Sequence, residues 1–313
     1  MVITKEIKET LENQQYGVVG DHSACKICHW TKKSLLDGGT CYKEQFYGIK
    51  ANQCCQMTPS LFCCNSCIFC WRNLLPGTTA KDFNVKADEP KEIIQGCIEQ
   101  QRKLLSGFGG NKKVNNDKLK EAKNPKYWAI SLAGEPTLYP KLSELILQLK
   151  KDNCCTFLVT NGQKPEVLEK LELPTQLYVS LDAPTEKLYK EIDNSLNKDS
   201  WQRLNKTLEL LPSLDTRKVI RLTLIKDLNM NHIEEYAKLI KKANPDFIEC
   251  KGYVWVGSSR GRLGKNNMPY HKDILDFSKK LAELTGIRLI DEKKESRVAL
   301  LSNLSEKKRK LKF

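Results

Sequence analysis

The sequence predicts an α/β fold in which six strands alternate with helices to build a parallel sheet, open or closed as a barrel. Three observations predict it. Short runs rich in β-branched and aromatic residues recur along the chain, mostly followed by turn residues. Segments with helical spacing lie between them. At 313 residues the chain is long enough to bury a sizeable core, as one barrel-like domain or two smaller ones.

Residues 1–17 read as a helix, with Ile3, Ile7 and Leu11 at four-residue spacing among Lys and Glu. Residues 18–60 show no long periodic pattern and are expected to be irregular. They carry Gly20, Gly38, Gly39 and Gly48, with cysteines at 25, 28, 41, 54 and 55. So long an irregular segment is expected to be held by something other than a core, such as a metal site. A first strand is expected just before Cys63. Further strands are expected at 126–132, 154–160, 176–181, 217–225 and 247–256, with helices near 90–105, 141–151, 165–172, 185–211 and 231–243. Residues 106–125 begin Ser-Gly-Phe-Gly-Gly and continue with five lysines among asparagines, which reads as a mobile basic loop. A helix is expected at 271–285, a short strand pair within 286–303, and a basic tail over 306–313. The chain divides into 1–60, an N-terminal helix and cysteine-rich segment; 61–260, the β/α repeats; and 261–313, a C-terminal extension.

Thirteen cysteines are many for this length. No apolar stretch follows Met1, so no signal peptide is expected. No run of about 18 apolar residues could span a membrane. Cysteine-rich and unsecreted points to metal ligation in the cytoplasm rather than disulfides. Cys97, Cys154, Cys155 and Cys250 lie in apolar or periodic contexts and read as small buried hydrophobes. Lys+Arg 52 against Asp+Glu 38 gives a net charge of +14, which suits a polyanionic partner. A lysine-rich surface kept for solubility would give the same number. Four histidines, at 22, 29, 232 and 271, leave few groups for acid–base work.

The densest chemistry lies in Cys63-Cys64-Asn65-Ser66-Cys67-Ile68-Phe69-Cys70. Cys63, Cys67 and Cys70 fit C-x3-C-x-Φ-C, with Phe69 as the aromatic. Three thiolates this close suit an iron–sulfur cluster. On a [4Fe–4S] cube they would hold three irons and leave the fourth open, as catalytic metal sites keep one position open. Cys64-x2-Cys67-x2-Cys70 is a lower-ranked alternative set. The rival is zinc, from Cys25-x2-Cys28 and Cys67-x2-Cys70, but 38 residues separate those pairs, against the usual 15–20 or so.

The triad spacing resembles the radical S-adenosylmethionine (SAM) superfamily. The resemblance implies an incomplete (β/α)6 TIM-like barrel, with SAM chelated at the open iron and cleaved to a 5′-deoxyadenosyl radical. Ligands in such folds sit at the C-terminal ends of strands. There the sequence offers Gly134-Glu135-Pro136-Thr137, similar to the family's Gly-Gly-Glu motif with Ala133 replacing its first glycine. It also offers Thr160-Asn161-Gly162, then Ser180 and Asp182, and then Arg221. Singly these are ordinary turn or strand residues. In order after successive strands, they are expected to bind SAM.

Cys28, Cys41 and Cys54 are spaced thirteen apart, and thirteen again. Chance or structural zinc could give such spacing. Together with the triad, however, it closely resembles the archaeal 4-demethylwyosine synthases, over nearly the whole chain. That resemblance implies a second [4Fe–4S] cluster on Cys28, Cys41 and Cys54. It implies condensation of N1-methylguanosine-37 of phenylalanine tRNA with two carbons of pyruvate. It also implies a Schiff base between pyruvate and Lys43, two residues after Cys41; by itself Lys43 reads as one surface lysine among many. No segment matches the flavodoxin-like domain of eukaryotic relatives, so a separate donor of flavodoxin or ferredoxin type is expected, serving a monomer. Two other readings remain: an activating enzyme with the same SAM site but a protein substrate, and a zinc-stabilised RNA-binding module without catalysis.

Overall fold

The apolar runs become six parallel strands in a single ten-stranded sheet. A computed structural model describes residues 3–73, 77–83 and 86–312. The chain begins with α1 (Lys5–Asn13), whose N-terminus is capped by the Thr4 hydroxyl accepting from the Ile7 N–H. Next come β1 (Gly17–Val19), β2 (Ser23–Lys26), α2 (His29–Leu35), α3 (Tyr42–Tyr47) and β3 (Cys54–Thr58). They are followed by α4 (Pro90–Leu105), α5 (Asn116–Ala122), β4 (Tyr127–Ile130), α6 (Leu142–Lys151), β5 (Cys155–Thr160), α7 (Pro165–Leu168) and β6 (Gln176–Ser180). The rest comprises α8 (Glu186–Asp193), α9 (Ser200–Leu210), β7 (Arg217–Leu224), α10 (Ile233–Ala243), β8 (Phe247–Gly252), α11 (His271–Thr285), β9 (Leu289–Lys293), β10 (Val298–Leu301) and α12 (Glu306–Arg309).

The strand order is β1-β2-β3-β4-β5-β6-β7-β8-β10-β9. Strands β3 to β8 pair in parallel, each with its sequence neighbour, as six β/α repeats require. Antiparallel pairs extend both edges: β2 and β1 beyond β3, β10 and β9 beyond β8.

Three expectations need correction. Residues 18–60 are not irregular: they hold β1, β2, α2, α3 and β3. The first parallel strand, β3, lies just before Cys63 as expected. Strands of three to five residues rich in cysteine and glycine carry too little alternation to be read. Residues 106–125 are not a loop throughout, because α5 buries Leu119 and Ala122 against Ile27, Leu35, Leu105 and Val114. The helix expected over 185–211 is two, α8 and α9, broken at Asn194 in the left-handed region (φ +43°).

Strand alternation sorts side chains onto two faces. Ile220, Leu222, Ile248 and Cys250 pack into the main core under the helices. Phe157, Tyr178, Val219 and Phe247 face the other way and form a second core with Tyr42, Phe46 and Tyr47 of α3. That second core fills the sheet's inner face near the starts of the strands. At the strand ends the same face opens into a cavity of about 300 Å³.

Candidate active site

The loop bearing the triad crosses the mouth of this cavity, held largely by its backbone. Cys63 N–H donates to Thr78 O (3.2 Å) and Ala80 N–H to Cys63 O (2.9 Å). Ile68 N–H donates to Ile192 O (2.9 Å), and Ser66 N–H to Asp193 O (3.2 Å), fastening the loop to the end of α8. The Arg262 guanidinium donates to Ile68 O (3.1 Å) and to Cys70 O. Cys63, Cys67 and Cys70 all line the cavity; Cys64 does not. The Arg72 guanidinium, 9% exposed, donates to Asn65 O (2.9 Å) and lies within electrostatic reach of all three thiols. Cys67 Sγ donates to Asp193 Oδ1 (3.5 Å), and burial beside that carboxylate pushes both groups toward their neutral forms.

Opposite the triad are the expected strand-end residues. Gly134 adopts φ +67°, and its segment runs against the cysteine loop, with Glu135 N–H donating to Phe62 O (2.7 Å). The Glu135 side chain is 2% exposed and accepts four hydrogen bonds. These come from Thr137 N–H (3.1 Å), Thr137 Oγ1 (2.7 Å), Thr160 Oγ1 (2.7 Å) and Asn161 N–H (2.8 Å). Burial raises its pKa against these donors. Glu135 thus ties the ends of β4 and β5 together. Asn161 Nδ2 donates to Cys64 Sγ (3.2 Å). Asp182 accepts from Thr223 N–H (2.8 Å), and burial raises its pKa to about 6. Gly134, Glu135, Thr160, Asn161, Ser180, Asp182 and Arg221 line the cavity; Pro136, Thr137 and Gly162 do not, and shape the turns beside it.

The second set gathers deeper, where α3 enters the sheet. Cys41 precedes α3, Cys28 precedes α2 and Cys54 opens β3; all three are partly buried. Cys28 and Cys41 lie within electrostatic reach of Cys54. Burial raises Cys41 to about 11 and Cys54 to about 12. Lys43, 8% exposed, places its ammonium over the rings of Tyr178 (4.6 Å) and Phe157 (5.1 Å). Burial lowers its pKa, Glu249 opposes that and Arg221 adds to it. Lys251 reaches both centres: it lines the cavity, sits over the Tyr42 ring (5.4 Å), and lies within electrostatic reach of Cys41 and Cys28.

Zinc fits poorly. Cys25 of the rival pair points away from Cys28, into the core, where its thiol meets Cys97 O (3.5 Å). Among the described residues no three Cys, His, Asp or Glu side chains close on one metal position, as tetrahedral zinc requires. A four-iron cube takes one thiolate per iron, which suits spread thiols lining a cavity.

Matches to known families agree with this geometry. A model of the radical SAM superfamily matches residues 57–240, and one for wyosine base formation matches 242–303. The S-adenosyl-L-methionine-dependent tRNA 4-demethylwyosine synthase of Pyrococcus horikoshii is 47% identical over 303 residues, covering 95% of this chain and 88% of that protein. The chain belongs to the tRNA 4-demethylwyosine synthase family. Two solved structures carry the same fold. A TYW1 structure with a lysine–pyruvate adduct bound has a TM-score of 0.88 at 39% identity, covering 99% of both chains. An archaeal TYW1 crystal structure has a TM-score of 0.80 at 36% identity, covering 99% of this chain and 98% of that one. Membership of this radical SAM family implies SAM and one [4Fe–4S] cluster.

Arg72, Asn65, Asp193 and Glu249 escaped the sequence reading. Arg72 and Asn65 lie in unpatterned loop. A signal did exist for Glu249, and for Lys251 beside it: charged residues in a strand otherwise buried point to the inner face.

Proposed function

We propose that this chain makes 4-demethylwyosine, joining two carbons of pyruvate to N1-methylguanosine-37 of phenylalanine tRNA. In class it is a carbon–carbon lyase acting in the condensing direction. Cys63, Cys67 and Cys70 would hold a [4Fe–4S] cluster, which with SAM would supply the radical chemistry that activates the N1-methyl group. Gly134 and Glu135 set the wall facing the triad, with Pro136, Thr137 and Gly162 fixing its turns. Thr160, Asn161, Ser180 and Asp182 offer polar atoms to SAM. Cys28, Cys41 and Cys54 would hold a second [4Fe–4S] cluster. Lys43 Nζ attacks the pyruvate carbonyl carbon; a C=N bond forms and the carbonyl oxygen leaves as water.

The observation that carries this reading is one continuous inner face. It runs from the triad through Arg221 and Lys251 to Lys43 and the second cysteine set. The excess positive charge suits tRNA phosphates. Among the described residues no helix is long and apolar enough to cross a membrane. A monomer working in the cytoplasm with a separate flavodoxin- or ferredoxin-type donor completes the proposal, with 1–60 supplying the pyruvate half, 61–260 the radical half and 261–313 the closing extension. The test is anaerobic incubation of reconstituted protein with SAM, reductant, pyruvate and N1-methylguanosine-containing tRNA, followed by nucleoside mass analysis. The tricyclic base is expected; 5′-deoxyadenosine without it would overturn the pyruvate half of the assignment.

A further inference from the structure

Arg221 is a half-buried cation whose guanidinium has no hydrogen-bonded partner among the described residues. It projects from β7 onto the inner face and lines the cavity. Among the described residues, no hydrogen bond or ion pair engages its guanidinium, although its row of the sheet pairs it with Ser180 and Glu249. The Glu249 carboxylate turns Oε1 toward Tyr47 Oη (2.8 Å) and leaves Oε2 unpaired. Lys251, next along the same face, spends one proton on Ser296 O (2.8 Å) and keeps its ammonium at the cavity wall. Lys43 lies beyond, over Tyr178. Three cations therefore converge with two carboxylates in reach, Glu249 of all three and Asp182 of Arg221, which leaves one positive charge in excess. Buried charge without a partner is costly, so this arrangement calls for an anion. The planar fork of a guanidinium matches a carboxylate with two parallel hydrogen bonds.

We propose that Arg221 and Lys251 form a carboxylate subsite that holds a small 2-oxo acid with its carbonyl carbon at Lys43. This rests on the pyruvate reading above and assigns Arg221 to that substrate rather than to SAM. The rings of Tyr178 and Phe157 under the Lys43 ammonium, with Tyr42 in the same apolar cluster, make this end of the face favour a methyl over a charged group.

The full chain, reconstituted, is incubated with pyruvate or with pyruvamide, its uncharged analogue, and cyanoborohydride. The reductant delivers hydride to the imine carbon and a proton goes to nitrogen, fixing the adduct for mass analysis at Lys43. Any effect of a lost charge on the Lys43 amine acts on both analogues and cancels in their ratio. The unsubstituted protein should favour pyruvate about tenfold or more, as a charge-assisted pair would give. Arg221→Gln and Lys251→Met should each erase most of that preference, and Arg221→Lys should restore part of it. SAM affinity, measured on the same samples, should change less than about threefold, since no ion pair to SAM is removed. A preference unchanged in both variants overturns the subsite. So does a tenfold loss of SAM affinity with the preference intact, which would give Arg221 to the SAM carboxylate. No adduct at Lys43 in the unsubstituted protein would instead overturn the imine reading, and this subsite with it.

Discussion

At Gly134 a left-handed backbone meets a close approach. A Cβ there would stand 2.0 Å from Ser60 O and 2.7 Å from Phe62 O, main-chain atoms just ahead of Cys63. Ala133 precedes it without positive φ and lines the cavity. This explains why the segment reads Ala-Gly-Glu where its superfamily has Gly-Gly-Glu: the first position tolerates a methyl and the second does not. Gly134→Ala should cost about 2–3 kcal/mol, from left-handed strain plus displacement of the cysteine loop. Ala133→Gly should cost no more than about 1 kcal/mol of chain entropy. Urea unfolding of the two variants checks the pair; equal losses would refute the steric account. The motif was legible in the sequence, but the reason for its departure was not, because the clashing atoms lie some seventy residues upstream.

The C-terminal element shows how a charge pattern can mislead. The tail reads as free and basic, yet α12 and its continuation are docked against the sheet's strand starts. Arg309, 8% exposed, pairs with Asp291 (2.6 Å), and Leu311 N–H donates to Tyr47 O (2.8 Å). Arg217 Nη2 donates to Arg309 O (2.7 Å), and Leu311 packs on the second core. The tail thus closes the end of the inner face remote from the cavity and presses on α3, which carries Lys43. Sequence spacing could not reveal this, because Arg309 and Asp291 meet through tertiary structure and Leu311 is a lone apolar residue among lysines. The strands of the β/α repeats were legible for the opposite reason: each buries a continuous apolar run. Arg309→Ala should lower stability by about 2–3 kcal/mol, the cost of leaving Asp291 without its buried partner. Affinity for tRNA should fall less than about twofold, since no phosphate contact is lost. A large affinity loss with unchanged stability, seen by gel shift and denaturation, would overturn this docked role and make the tail an RNA contact.

For the molecule as a whole, the sheet's inner face joins two cysteine sets that the sequence keeps apart. Cys28 and Cys41 come from the segment that appeared irregular, yet α3 and the β3 edge bring them to Cys54 and within reach of Lys251 on the cavity wall. Their thirteen-residue spacing was visible; the short elements that give it meaning were not, because α2 and α3 have only seven and six residues. The triad, by contrast, is held by the α8 end and Arg262, which owe nothing to the second set. The two halves should therefore fail separately. Replacing Cys28, Cys41 and Cys54 together by Ala should lower reconstituted iron by about half, as loss of one of two cube sites requires. 5′-Deoxyadenosine formation should persist, while the tricyclic base disappears. Replacing Cys63, Cys67 or Cys70 by Ala should abolish both products. If the triple variant kept its full iron or still made the base, the second set would not be a cluster site, and the pyruvate half would have to be placed elsewhere on the inner face.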